Sequence, residues 1–222
     1  LWEMSPKIPI CAFCWLSAIL IGFSQTGPGG VGNVGNNSLW LVVEGNCFVD
    51  SGSTLATDGS SVQQWNDISG NGRNALQTNN SFKPMLRAAR ANGLPTLEFD
   101  GSDDRILSSG IGPAGQATLF AVANNTAIAN GNDGIIQGSP SGNPFSATIS
   151  NKSVGIWDNV SGNRPWGRGV QANNVARNIP QGPSLNLGQF NIHTQNFDGN
   201  NISQFLNQSI VGTVSYDGTL KD

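Results

Sequence analysis

From Leu39 onward, apolar residues come in short runs or alternate with polar ones, and Gly, Asn, Asp or Pro closes nearly every run. A period of two turns one side of an extended segment to a core and the other to water. The expected strands are therefore Leu39–Val43, Ser61–Trp65, Thr96–Phe99, Ala117–Ala123, Phe145–Ile149, Ser153–Trp157, Phe190–Thr194, Ile202–Leu206 and Ile210–Val214. No window of helical length keeps a convincing i, i+3, i+4 stripe. The nearest approach, Lys83–Ala91, is weakened as a helix by Pro84. ISQFL and SIVGTV flank Asn207-Gln208, a hairpin signal, and Asp198-Gly199 marks a turn just before. Many short strands between tight turns predict an all-β fold, a β-sandwich or jelly roll.

The pattern changes before Leu39. Met4 reads as the true start, with Leu1, Trp2 and Glu3 upstream of it. Lys7, an apolar run from Ile8 to Phe23 and the small residues Gly22 and Ser24 follow in the order of a signal peptide, with cleavage after Ser24. The competing reading is a membrane anchor; the run is short for a span and carries Pro9. Residues 1–24 are thus the expected signal peptide, 25–38 a flexible Gly/Asn-rich lead-in, and 39–222 one folded domain. The protein is then secreted or at the cell surface, with no membrane span after cleavage. Cys11 and Cys14 fall inside the leader with no second pair, which argues against zinc. Cys47 remains alone and is expected to be a buried small hydrophobe.

Charge and titratable residues narrow the chemistry. Only 11% of the 222 residues are charged and the net charge is -3, too small and too scattered for nucleic acid or an acidic membrane surface as a partner. Hydrolysis of a glycosidic bond needs two carboxylates across the bond. After the leader the only glutamates are Glu44 and Glu98, neither spaced for such a pair, and the adjacent Asp103 and Asp104 would face opposite sides of a strand. His193 is the sole histidine and sits at a strand position, where packing is the simpler role. The segment therefore reads as non-enzymatic.

Four stretches, in order, carry a resemblance: LWLVVEG, VQQWNDISGNGRNALQ, GLPTLEFDGSDDRIL and NFDGNNISQFLNQSIVGTV. Together they resemble the laminin-G-like, concanavalin A-like lectin/glucanase superfamily, nearest to modules of large secreted proteins of Bacteroidetes-type bacteria. The resemblance runs from about Leu39 to the end. It implies a two-sheet antiparallel β-sandwich, a concanavalin A-like jelly roll of roughly a dozen strands, that binds polysaccharide or cell-surface glycan, binds other protein modules, or acts as a spacer. In that family further strands follow the last hairpin, whereas this chain stops at Leu220-Lys221-Asp222. The domain is accordingly expected to be incomplete at its C-terminus, and an accessory role beside a polysaccharide-degrading domain stays open.

Three stretches are candidate sites. In WNDISGNG, Asp67, Ser69, Asn71 and Gly72 match the opening of a calcium-binding EF-hand loop. Position 12 of such a loop would be Thr78, which cannot bind bidentately, so a turn organised by Asp67 is the simpler reading and Asp67 is at most an auxiliary ligand. In FDGSDD, Asp100, Asp103 and Asp104 repel one another unless bonded, paired or bound to a cation. Related jelly rolls hold calcium near such loops, which makes these residues the first choice for Ca2+; a solvated turn capped by Asp100 explains the same residues. In VGIWDNVSGNRPWGRG, Trp157 and Trp166 lie among Asp158, Asn159, Asn163, Arg164 and Arg168. Exposed rings stack on the apolar faces of sugars while amides and charges bond their hydroxyls. Trp40 and Trp65 fall in strand patterns and are expected in the core; Trp157 is read as core before platform, and Trp166, between Pro165 and Gly167, as either exposed or buried.

Overall fold

The computed structural model describes residues 37–110, 115–126, 132–137, 154–159, 164–170, 176–179, 182, 185 and 187–216. The protein is all-β, and among the described residues it has one 3₁₀ turn, at Asn80–Phe82. The strands are β1 (Cys47–Phe48), β2 (Gln64–Trp65), β3 (Ala75–Leu76), β4 (Met85–Ala91), β5 (Leu94–Glu98), β6 (Ala117–Asn124), β7 (Asn132–Gln137), β8 (Val154–Asn159), β9 (Arg164–Val170), β10 (Ala176–Asn178), β11 (Phe190–Phe197), β12 (Asn201–Leu206) and β13 (Ser209–Ser215). Every pairing is antiparallel. Two four-stranded sheets, β13-β12-β11-β6 and β10-β9-β8-β7, are accompanied by a three-stranded sheet, β1-β2-β3, and the hairpin β4-β5. Among the described residues no helix is long and apolar enough to cross a membrane.

The two large sheets approach each other where β11 lies against β8 and β12 against β9. Alternation does the rest. Along β11 the buried positions are Asn191, His193, Gln195 and Phe197; along β12 they are Ile202, Gln204 and Leu206. Phe197, Ile202, Ile179 and Tyr216 form the apolar centre, with Ala117, Leu119, Val211 and Val214 packed around it. Phe197 and Tyr216 meet edge to face at 5.1 Å, the arrangement favoured by the ring quadrupoles. A second apolar cluster joins Cys47, Val62 and Leu86, with Trp65, Leu97 and Ile106 against it. Cys47 and Trp65 are thus where the hydrophobic pattern puts them.

The stretch Lys83–Ala91 corrects the mild helical expectation. Met85–Ala91 is a strand, joined to β5 by Asn92-Gly93, both at positive φ (51° and 85°). That two-residue loop matches the twist of the flanking strands, so the turn chemistry decides the local structure. Pro95 is tolerated because β5 has only one partner strand. Leu39–Val43 forms a single bridge, Leu41 to Asp67, in place of a full strand. Strands β1, β3, β7, β9 and β10 were not legible as runs. The expected strand Phe145–Ile149, the leader and the lead-in up to residue 36 lie outside the described residues.

Candidate functional site

The stretch following Trp65 is a staple. The Asp67 carboxylate accepts four hydrogen bonds: the amides of Trp40 (3.0 Å) and Ser69 (2.9 Å) donate to Oδ1, and the Ser69 hydroxyl (2.8 Å) and the Arg73 amide (3.1 Å) donate to Oδ2. Asn71 Nδ2 donates to the carbonyls of Asn37 and Ser38, and Arg73 Nη1 donates to the Ser38 carbonyl at 2.6 Å. Gly70 and Gly72 take positive φ (89° and 68°), which their missing Cβ permits. Partial burial pushes the Asp67 carboxyl upward, but the bonds from Trp40, Ser69 and Arg73 outweigh it and hold the pKa below its ordinary value. Both oxygens are engaged, and they tie residues 37–41 to the sheet. Asp67 stands apart from the Asp100 carboxylate cluster.

The acidic loop is capped from within. Asp100 Oδ1 accepts from the amides of Ser102 (2.8 Å), Asp103 (3.2 Å) and Asp104 (3.4 Å), and the Asp100 amide donates to Asp104 Oδ2 at 3.0 Å. Gly101 at φ +75° closes the turn. Those amides, Ser102 first, lower the Asp100 pKa. Asp104 goes the other way: partial burial raises it most, and repulsion from Asp100 and Asp103 adds to that against the Asp100 amide. Arg105 donates to the Asp103 carbonyl (3.1 Å) and its guanidinium sits 3.7 Å from the centre of the Phe82 ring. One oxygen from each of Asp100, Asp103 and Asp104 falls within 4.8 Å of the others. A hard cation such as Ca2+ wants six to eight oxygens. This donor set supplies three carboxylates, two of which already serve the turn, and all three lie near the surface. The residues fit a self-capped turn at least as well as a cation site.

The tryptophan stretch forms two paired strands. β8 and β9 pair so that Trp157 is directly opposite Trp166, Asn159 opposite Arg164, and Gly155 opposite Arg168. Opposed residues share a face of the sheet, and alternate residues share it too. Trp157, Trp166, Asn159, Arg164 and Arg168 therefore occupy positions on one face. Asp158, opposite Pro165, falls on the other face with Ile156, which is fully buried. Asn163 lies outside the described residues. The pairing thus gathers five of the seven residues singled out in this stretch and separates Asp158 from them. Spacing alone did not reveal this, because it requires the register between the two strands.

His193 is buried on the inward face of β11, and desolvation pushes its pKa down to about 4. A neutral imidazole enclosed between sheets is a packing residue, as its strand position suggests. Glu98 is held by Arg87, whose Nε donates to Oε2 at 2.6 Å on the surface. No protein-family model matches this chain, and no curated protein matches it.

Proposed function

We propose that this chain is an exported, non-catalytic glycan-binding module whose ligand lies across the β8–β9 face that holds Trp157 and Trp166. One observation carries the reading: the register sets these two residues opposite each other, with Asn159, Arg164 and Arg168 at neighbouring positions on that face. Paired aromatic residues offer stacking area for successive sugar rings, and the amide and guanidinium groups supply hydroxyl and carboxylate contacts. Two arginines beside the pair favour polysaccharides that carry acidic sugars. The resemblance to concanavalin A-like lectins points to the same ligand class, and the buried inner face with Ile156 leaves the opposite face as the one to carry the ligand.

Glycan-array binding of the full chain tests this. Trp166→Ala is expected to weaken binding about tenfold, about 1.4 kcal/mol, and binding to acidic glycans is expected to fall as salt rises. Absence of binding to any glycan would overturn the lectin reading. A second reading, a structural or adhesive module, draws on a different observation: apolar residues stand exposed on the outer face of the other sheet, Phe120 and Val122 foremost.

A further inference from the structure

An Asn or Asp followed by glycine is a step at which a chain can attack itself. The next backbone nitrogen closes on the side-chain Cγ, and glycine leaves that nitrogen unshielded because it has no Cβ. Five such steps have their side chains among the described residues: Asp58-Gly59, Asn71-Gly72, Asn92-Gly93, Asp100-Gly101 and Asp198-Gly199. The structure separates them. Asp58 Oδ1 accepts from the Ala88 amide, Asp100 Oδ1 from the amides of Ser102 and Asp103, and Asp198 Oδ1 from those of Asn200 and Asn201. Asn71 Nδ2 donates to the carbonyls of Asn37 and Ser38 and to Ser69 Oγ. These bonds pin each side chain to the backbone around it. Among the described residues the Asn92 side chain has no such bond, and Asn92 and Gly93 are both exposed.

The backbone behind Asn92 is thinly held. Met85–Glu98, Leu86–Leu97 and Arg87–Thr96 pair in register, a shift follows, and the single pair Ala91–Leu94 closes the loop. Ala89, inside the shift, takes φ +54°, which costs a residue with a Cβ energy. A Cβ added to Gly93 would meet nothing within 4 Å, so no neighbouring segment crowds the loop. Exposure and few ladder bonds let such a tip open locally, which frees the Asn92 side chain to turn towards the Gly93 nitrogen.

We propose that Asn92 converts spontaneously to aspartate and isoaspartate, first among these steps in the folded chain. The Gly93 nitrogen gives its proton to hydroxide and bonds to Asn92 Cγ, and the Cγ–Nδ2 bond breaks to release ammonia. Water then opens the cyclic imide. Opening at one carbonyl gives aspartate; opening at the other leaves the main chain running through Cβ, as isoaspartate. The second product lengthens the main chain inside a two-residue loop whose twist sets the register. The Ala91–Leu94 pair is then lost. The pairs before the shift remain, held by buried Leu86 and the Arg87–Glu98 ion pair.

Peptide mapping of the full chain, kept folded in mildly alkaline buffer, tests this. Asn92 is expected to convert at least ~tenfold faster than Asn71, because Asn71 reacts only after its bonds open. In urea the two asparagines, each followed by glycine, are expected to convert at similar rates. Hydrogen exchange of the aged chain is expected to quicken at Leu94 and to stay unchanged at Leu97. Asn92→Gln, whose longer side chain closes the ring slowly, is expected to keep Leu94 protected over the same time. Equal rates at Asn71 and Asn92 in the folded chain overturn the proposal. So does an Asn92 that keeps its amide while the chain is folded and loses it in urea, or a lead over Asn71 that persists unchanged in urea and so owes nothing to the fold.

Discussion

Single residues show how the sequence patterns acquire energy. His193 is the clearest case. Its ring is buried and, among the described residues, Nδ1 has no hydrogen-bond partner. Burial disfavours the imidazolium, so the folded pKa of about 4 lies below the ordinary 6.5. Between those values the unfolded chain binds a proton that the folded chain refuses. Stability from this group is therefore complete above about pH 6.5 and is lost as pH falls towards 4. Between pH 7 and pH 5 the loss is expected to be about 2 kcal/mol. Urea unfolding at the two pH values measures it, and His193→Leu is expected to abolish most of the difference; an unchanged difference would assign the pH dependence elsewhere. Cys47 follows the same physics with the opposite sign: burial raises its pKa to about 12, which keeps it a protonated, inert thiol.

At the scale of elements, turns decide more than runs do. The β12–β13 hairpin closes through Asn207 and Gln208, both at positive φ (48° and 72°). Asn tolerates that region and Gln does not, so the loop keeps its register at some cost in strain. Gln208→Gly is expected to stabilise the domain by about 0.5–1 kcal/mol, read as a shift of the denaturant midpoint. Destabilisation would mean that the Gln208 side chain contributes more than its backbone strain costs. The acidic loop is an element of the same kind. Because Asp100 and Asp104 already cap it, EDTA is expected to leave the melting temperature unchanged, and Asp100→Ala is expected to lower it. A melting temperature that rises with added calcium would assign Asp100, Asp103 and Asp104 to a cation instead, since a ligand of the folded state must stabilise it.

For the whole molecule, the apolar residues divide into separate clusters, one around Val62 and Leu86, another around Phe197 and Ile202. The second belongs to a four-stranded sheet in which β11 and β12 are flanked on both sides, whereas β1, β2 and β3 are two residues long. Few ladder bonds and short strands leave a region open to local unfolding. Native-state hydrogen exchange is expected to be slowest in β11 and β12 and at least ~tenfold faster around β1–β3, in keeping with the spread between core and peripheral openings. Equal protection in both regions would show that the two clusters unfold as one unit.

Period-two alternation by itself determined that the chain is all-β, and it located β6, β11, β12 and β13 to within a few residues, because those strands have one face on a core and one in water. Turn residues by themselves determined the Asn207-Gln208 hairpin and the Asp67 turn, because positive φ and side-chain capping are local properties. Short strands such as β1 and β3 were hidden: two residues carry no period, and only partners distant in sequence make them strands. The fate of Lys83–Ala91 was settled across the Asn92-Gly93 loop by pairing with β5. The candidate site divides in the same way. Its residue types were legible, but only strand register could set the position of Trp157 opposite that of Trp166 and give Asp158 a position on the other face. Residue type is written along the chain, whereas register and face are relations between segments, decided where the strands meet.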